Sequence, residues 1–221
     1  MILHASLRPV GRSVAVAGHL ALLLLLLLLL LLQPAQAQKV PPAVSGLLPA
    51  GAQFARGSFA ILPTEFGKTF SGEMRATIPG RPSSCDITIG PELRVSLKGD
   101  TAWEEPPMLD AAVELFNADI LAARKALPLR VEQLRRTNAS VQSVASLREE
   151  KVPSGVLIYV EYTEDCARHK GSNTVLRGFA RKGATMLNLD LWISAGATDA
   201  TAMAKDMMAR FAKLNVPGLL R

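Results

Sequence analysis

Few residues of this chain are equipped to do chemistry. Beyond residue 37 there is one histidine, His169, and there are two cysteines, Cys85 and Cys166. A serine or cysteine hydrolase needs a nucleophile, a base beside it and a third group that orients the base. His169 stands in Cys166-Ala-Arg-His-Lys170, a charged stretch that reads as a solvated loop. The chain has no Gly-x-Ser-x-Gly and no Ser-x-x-Lys. One histidine and two cysteines fall short of a structural zinc set. Glu161, Glu164 and Asp165 form an acidic cluster whose spacing fits no calcium loop. Glu104-Glu105 precede two prolines and read as exposed loop, and the isolated Gly178 and Gly183 make no phosphate-cradling loop. The expectation is a protein that is not an enzyme and uses no cofactor or metal.

The address is clearer than the chemistry. Arg8 and Arg12 give a positive start, and an apolar stretch follows that ends in an unbroken leucine run, Leu22 to Leu32. Gln33-Pro34-Ala35-Gln36-Ala37 then places small residues where signal peptidase reads them. This pattern predicts a signal peptide over 1–37, cleavage between Ala37 and Gln38, and a periplasmic protein. The alternative, an uncleaved anchor, rests on Val14–Leu32 being nearly long enough to span a bilayer. In an oxidising compartment an isolated cysteine pair usually closes one disulfide, so Cys85 and Cys166 are expected to be bonded. Closing so long a loop would stabilise the fold by roughly 4–5 kcal/mol in the chain-entropy model. Two unrelated free thiols are the other reading.

Removing residues 1–37 leaves 184 residues with 23 basic and 19 acidic side chains. These charges are interspersed. The densest basic group, Arg130 with Arg135 and Arg136, reads as a solvated face, and no nucleic-acid partner is expected. After Leu32 no apolar stretch approaches a spanning length, so stable membrane insertion is not expected after cleavage. Asn138-Ala139-Ser140 matches a glycosylation sequon; the leader reads as a bacterial signal peptide, and the match is then expected to be accidental. Met203, Met207 and Met208 fall at helical spacing and read as core filling. Trp103 and Trp192 are the better surface candidates. Trp192 shares strand parity with Asn188 and Asp190, so it either anchors a partner on a polar sheet face or simply covers the sheet.

The elements that would carry these residues follow from periodicity. Residues 38–52, rich in Pro, Gly and Ala, read as a flexible leader, followed by a single domain over 53–221. Ser58–Leu62, residues 70–78, Cys85–Ile89 and Leu93–Leu97 read as four short strands joined by Gly/Pro turns. Leu109, Val113, Phe116, Ile120, Ala123 and Leu127 define an amphipathic helix that Pro128 ends or kinks. Residues 129–142 give no clear pattern. A weak strand near 143–150 precedes strands at 156–162, 173–180 and 185–193. A last helix from about Asp199 to Leu214 presents Ala200, Met203, Met207, Phe211 and Leu214, and Asn215 and Pro217 stop it. Strands then helix, twice over, predict an α+β fold: antiparallel sheet with two main helices packed on one face.

Three segments carry a family resemblance. Arg56-Gly57-Ser58-Phe59-Ala60-Ile61-Leu62-Pro63 resembles the short Gly-x-Phe … Leu-Pro strand that opens the periplasmic immunity proteins of type VI secretion lipase effectors. The helix over 109–127 follows an opening sheet, as theirs does. The meander from Gly155 to Ile193, closed by the helix Asp199–Leu214, is similar to the end of such a domain. The chain has room for one domain where members usually have two, and its opening strand lacks the family's cysteine and Gly-Arg order. No effector-contact residue is therefore carried over. The resemblance implies a secreted lipase-type toxin as partner and action by covering its site. The alternative function is a periplasmic envelope protein that holds a small apolar ligand without catalysis. A third is an enzyme with an unrecognised carboxylate site.

Overall fold

The alternating segments form strands for the reason their period suggests: one face of each is apolar and needs covering. A computed structural model describes residues 39–64, 67–79, 92–100, 105–166, 169–193 and 197–219. The leader peptide with its Ala37–Gln38 cleavage site, the segment containing Cys85, and Trp103 lie outside these residues. The strands are β1 (Gln53–Thr64), β2 (Gly67–Thr77), β3 (Glu92–Asp100), β4 (Val141–Val144), β5 (Arg148–Val152), β6 (Gly155–Cys166), β7 (His169–Lys182) and β8 (Thr185–Ile193). They make one antiparallel sheet in the order β1-β2-β3-β8-β7-β6-β4, with β5 also paired to β6. β2 pairs directly with β3, and the strand expected over 85–89 lies outside the described residues. At the centre, β3 meets β8 with Leu93 opposite Leu191, Val95 opposite Leu189 and Leu97 opposite Leu187.

The class is α+β, as expected, but the helices do not share a face. The long helix α2 (Pro106–Thr137) buries Ile120, Ala123, Leu127, Val131 and Leu134 against Val156, Ile158, Val160, Val175 and Phe179. The late helix α3 (Ala197–Ala212) buries Ala200, Ala204, Met207, Met208 and Phe211 against the other parity, including Leu157, Leu176, Leu187, Leu189 and Leu191. The reason lies in β6. Its run Val156-Leu157-Ile158-Tyr159-Val160 is apolar without alternation, and such a strand needs cover on both sides. On β1–β3 the alternation is clean. Phe59, Phe70, Met74, Leu93, Val95 and Leu97 join the α3-side core, while Ser58, Ser71, Glu73 and Lys98 are exposed on the other face.

Two further expectations change. The segment read as a flexible leader contributes Val40, Val44, Leu47 and Leu48 to the α3-side core, and its Pro42–Ser45 forms the short helix α1. A Cβ on Gly57 would stand 2.9 Å from Val40 Cγ2, so a glycine in β1 makes room for this segment. Pro128 does not end the helix, which continues to Thr137. Leu127, Val131 and Leu134 prolong the buried stripe past the proline, and their packing outweighs the one hydrogen bond that Pro128 cannot donate. After α3, Val216–Leu219 forms a last short helix, α4, that buries Val216 and Leu219. Met207 and Met208 are core residues and Met203 packs partly against them, as read from their spacing.

Candidate binding surface

The side chains that flank α2 lock it to the sheet. On one side Asn188 on β8 donates its side-chain N–H to Asp119 Oδ2 at 3.0 Å. Arg130 reaches the same strand, with its guanidinium 4.4 Å from the Trp192 ring centroid and 3.5 Å from Asp190 Oδ2. On the opposite flank Arg124 makes a two-pronged pair with Glu149 on β5, at 2.8 and 2.7 Å. That pair holds the Glu149 carboxyl below its ordinary value and the Arg124 guanidinium above its own. Near the end of the helix Arg135 and Arg136 both donate to Glu132 and hold its carboxyl down to about 2. Of the basic cluster read as a solvated face, Arg135 and Arg136 are exposed, while Arg130 turns to the sheet.

Trp192 lies on the side of β8 that its parity predicts, but α2 covers that side. The ring is half-buried, Arg130 sits over it, and its indole N–H donates to the Tyr162 hydroxyl at 3.0 Å. As an interface candidate it is therefore replaced: its polar and aromatic capacity is used inside the molecule. Burial pushes the Tyr162 hydroxyl up to about 12, against the opposing pull of the Trp192 hydrogen bond.

Between the α2 flank and the sheet lies a crevice of about 230 Å³, lined among others by Ser96, Asp119, Ala122, Arg177, Asn188 and Asp190. Arg177 approaches Asp190 at 3.7 Å. Two buried atoms of opposite character, Arg177 Nε and Asn188 Oδ1, have no hydrogen-bond partner within the protein. A docked polar group or water would satisfy them.

The outward side of α2 is apolar as well. Leu115 is 56% exposed, Leu121 50% and Leu129 70%. At 100° per residue, Leu115, Ala118, Ala122, Ala126 and Leu129 fall on one arc, away from the buried stripe. All five are exposed. Val113, expected to face inward, is also exposed, and Ala112 is buried in its place. The signal was present in the sequence: Leu115, Leu121 and Leu129 are large apolar residues that do not fit the inner stripe. A reading tuned to one amphipathic face passes over a second one.

The other sequence candidates come apart or turn structural. Strand parity sends Glu164 to the α2 side of β6 and Glu161 and Asp165 to the other, so no acidic trio forms. Glu161 pairs with Arg148 at 3.2 Å. Glu164 is buried and accepts from Asn138 Nδ2 at 3.0 Å and Asn173 Nδ2 at 2.9 Å. Asn138 Oδ1 also accepts from the Ser140 hydroxyl at 2.6 Å, so the sequon is folded into this network that closes the end of α2. Glu105 precedes the helix as its cap residue. Cys166 and His169 face each other across the β6–β7 hairpin through their backbones, and their side chains lie outside the described residues. Among the described residues, no group of three or more His, Cys, Asp or Glu side chains could hold a metal ion, and no helix is long and apolar enough to cross a membrane. No protein-family model, no curated protein and no solved structure matches the chain.

Proposed function

We propose that the chain is an exported binding protein, that its working surface is the outward arc of α2 with the crevice beside it, and that it occludes a secreted toxic enzyme of lipase type in the periplasm. One observation carries the binding reading. Leu115 and Leu129 stand more than half exposed on the outward arc with three exposed alanines between them, on a helix whose other side is locked into the core. A contiguous apolar patch on a rigid element is the usual mark of a contact site, because no backbone ordering remains to be done on association. The unpartnered Arg177 Nε and Asn188 Oδ1 at its edge add polar groups that a docked surface can satisfy. The order of elements and the Arg56–Pro63 strand favour the toxin-neutralising role over other binding roles.

The test is capture from periplasmic extract with the purified mature protein, followed by titration of any enzyme recovered. Saturation near a one-to-one ratio supports occlusion, and Leu129→Glu should weaken capture at least tenfold with the fold intact. His169→Ala should leave protection unchanged. Suppression of the enzyme by a small catalytic amount of the protein would replace the binding reading with an enzymatic one.

A further inference from the structure

We infer that the outward arc of α2 is self-complementary, and that two copies of the chain pair through it antiparallel, about a two-fold axis at Ala122. In a two-fold contact between antiparallel helices, each residue i lies at the height of a fixed residue j, and j at the height of i. Centred on Ala122, Leu115 falls opposite the second copy's Leu129, and Ala118 opposite the second copy's Ala126. Ala122 faces itself. Each of these residues is on the arc and exposed. The spacing from Leu115 to Leu129 runs 3-4-4-3 and is symmetric about the centre. Steps of three and four keep a helical seam facing its partner. Alanines at the middle let the two backbones approach, and leucines at both ends close the seam.

Charge selects the antiparallel arrangement. Of the α2 charges not tied to the sheet or to each other, Asp110 and Glu114 lie in the first part and Lys125 in the later part, where Arg135 and Arg136 also leave a net positive charge beside Glu132. Parallel pairing would set acid beside acid and base beside base. Antiparallel pairing sets each acidic half along a basic one. The pairing also answers a liability of the isolated chain, since leucines exposed on a surface helix invite uncontrolled association. A closed two-fold contact covers them and leaves no surface to propagate. The same leucines cannot serve a second copy and a foreign partner at once, so dissociation of the dimer would gate capture. The pairing itself does not depend on which partner is captured.

The experiment is sedimentation equilibrium of the mature protein over a dilution series, with and without added salt. The expected result is a monomer–dimer equilibrium that shifts to monomer on dilution and on raising salt. Leu129→Glu should weaken the dimer at least tenfold while leaving the melting temperature unchanged at dilutions where the native chain is monomeric, because that side chain is largely exposed in the single copy. Single cysteines placed on the arc then test register. Ala122→Cys should cross-link to itself under mild oxidation, whereas Leu115→Cys should not, its two copies lying about 21 Å apart along the axis. A monomer at every concentration would overturn the proposal. So would a dimer indifferent to Leu129→Glu, or cross-linking at position 115 instead of 122. A monomer at every concentration would leave the capture reading standing, and failure of capture would leave the dimer standing, because the extract experiment reads capture separately.

Discussion

Trp192 on β8 donates its indole N–H to the hydroxyl of Tyr162 on β6, reaching across β7 beneath α2. The two groups satisfy each other's polar ends in a layer otherwise filled by Ile158, Val160, Val175 and Leu127. Their positions explain why a tryptophan that looks solvent-facing by parity is an internal strut.

Burial of the same tyrosine makes stability fall in alkali. Burial raises the Tyr162 hydroxyl from 10.0 to about 12, so the fold holds this proton after the unfolded chain has lost it. A group held neutral in this way contributes stability that is fully present below pH 10 and is lost as pH rises from 10 to 12. The loss should be roughly 2–3 kcal/mol. Denaturant titrations across that range should show it in the native protein. Tyr162→Phe should flatten the slope while costing about 1 kcal/mol at neutral pH, because Trp192 loses its acceptor.

Gly155 opens β6 opposite Ala180, and a Cβ there would run into the Phe179 carbonyl oxygen. The obstacle is backbone, so nothing flexible can yield. Gly155→Ala should destabilise the protein by about 3 kcal/mol or more, read from the urea midpoint. The neighbouring Ser154 has a φ of 69°, and Ser154→Gly should be neutral or slightly stabilising.

Pro128 lies inside α2 without a backbone N–H to donate. Pro128→Ala restores that donor on a half-buried site and should raise stability by about 1–2 kcal/mol, or several degrees in Tm. A fall in Tm would mean that the proline ring itself contributes to the packing around Leu127 and Val131.

Glu164 is the acceptor that holds the side-chain amides of Asn138 and Asn173. Glu164→Ala strands both donors, and the expected cost is about 3 kcal/mol. Loosening should concentrate at the end of α2 and in β4, seen as faster amide exchange there.

Much of the architecture was legible. The last helix and six of the eight strands follow from period-two and period-3.6 patterns and from Gly and Pro punctuation. What failed did so for identifiable reasons. The apolar run Val156–Val160 was read as a strong strand and not as one buried on both faces, so both helices were assigned to one face. Pro128 was read by its local cost, although Leu127, Val131 and Leu134 carry the helix past it. Val40, Val44 and Leu47 were masked by surrounding Pro, Gly and Ala. The candidate surface was the least legible part. Trp192 was chosen by parity, which locates a face without telling what covers it. Leu129 lay in the stretch from 129 to 142 that showed no clear period.

The central seam of the sheet joins residues far apart in the chain, for Leu97 pairs with Leu187 and Leu93 with Leu191. β1 to β3 can form early as a local unit, but their inner neighbour β8 is made almost last. Until then β3 is a bare edge, and the core it shares with α3 is missing one wall. Such non-local closure slows folding, since a long loop must be ordered before its contacts reward it. Closing of the sheet therefore waits until β8 is present. For a chain exported as proposed, that delay keeps β1 to β8 threadable until β8 itself has passed, and only then does the sheet lock.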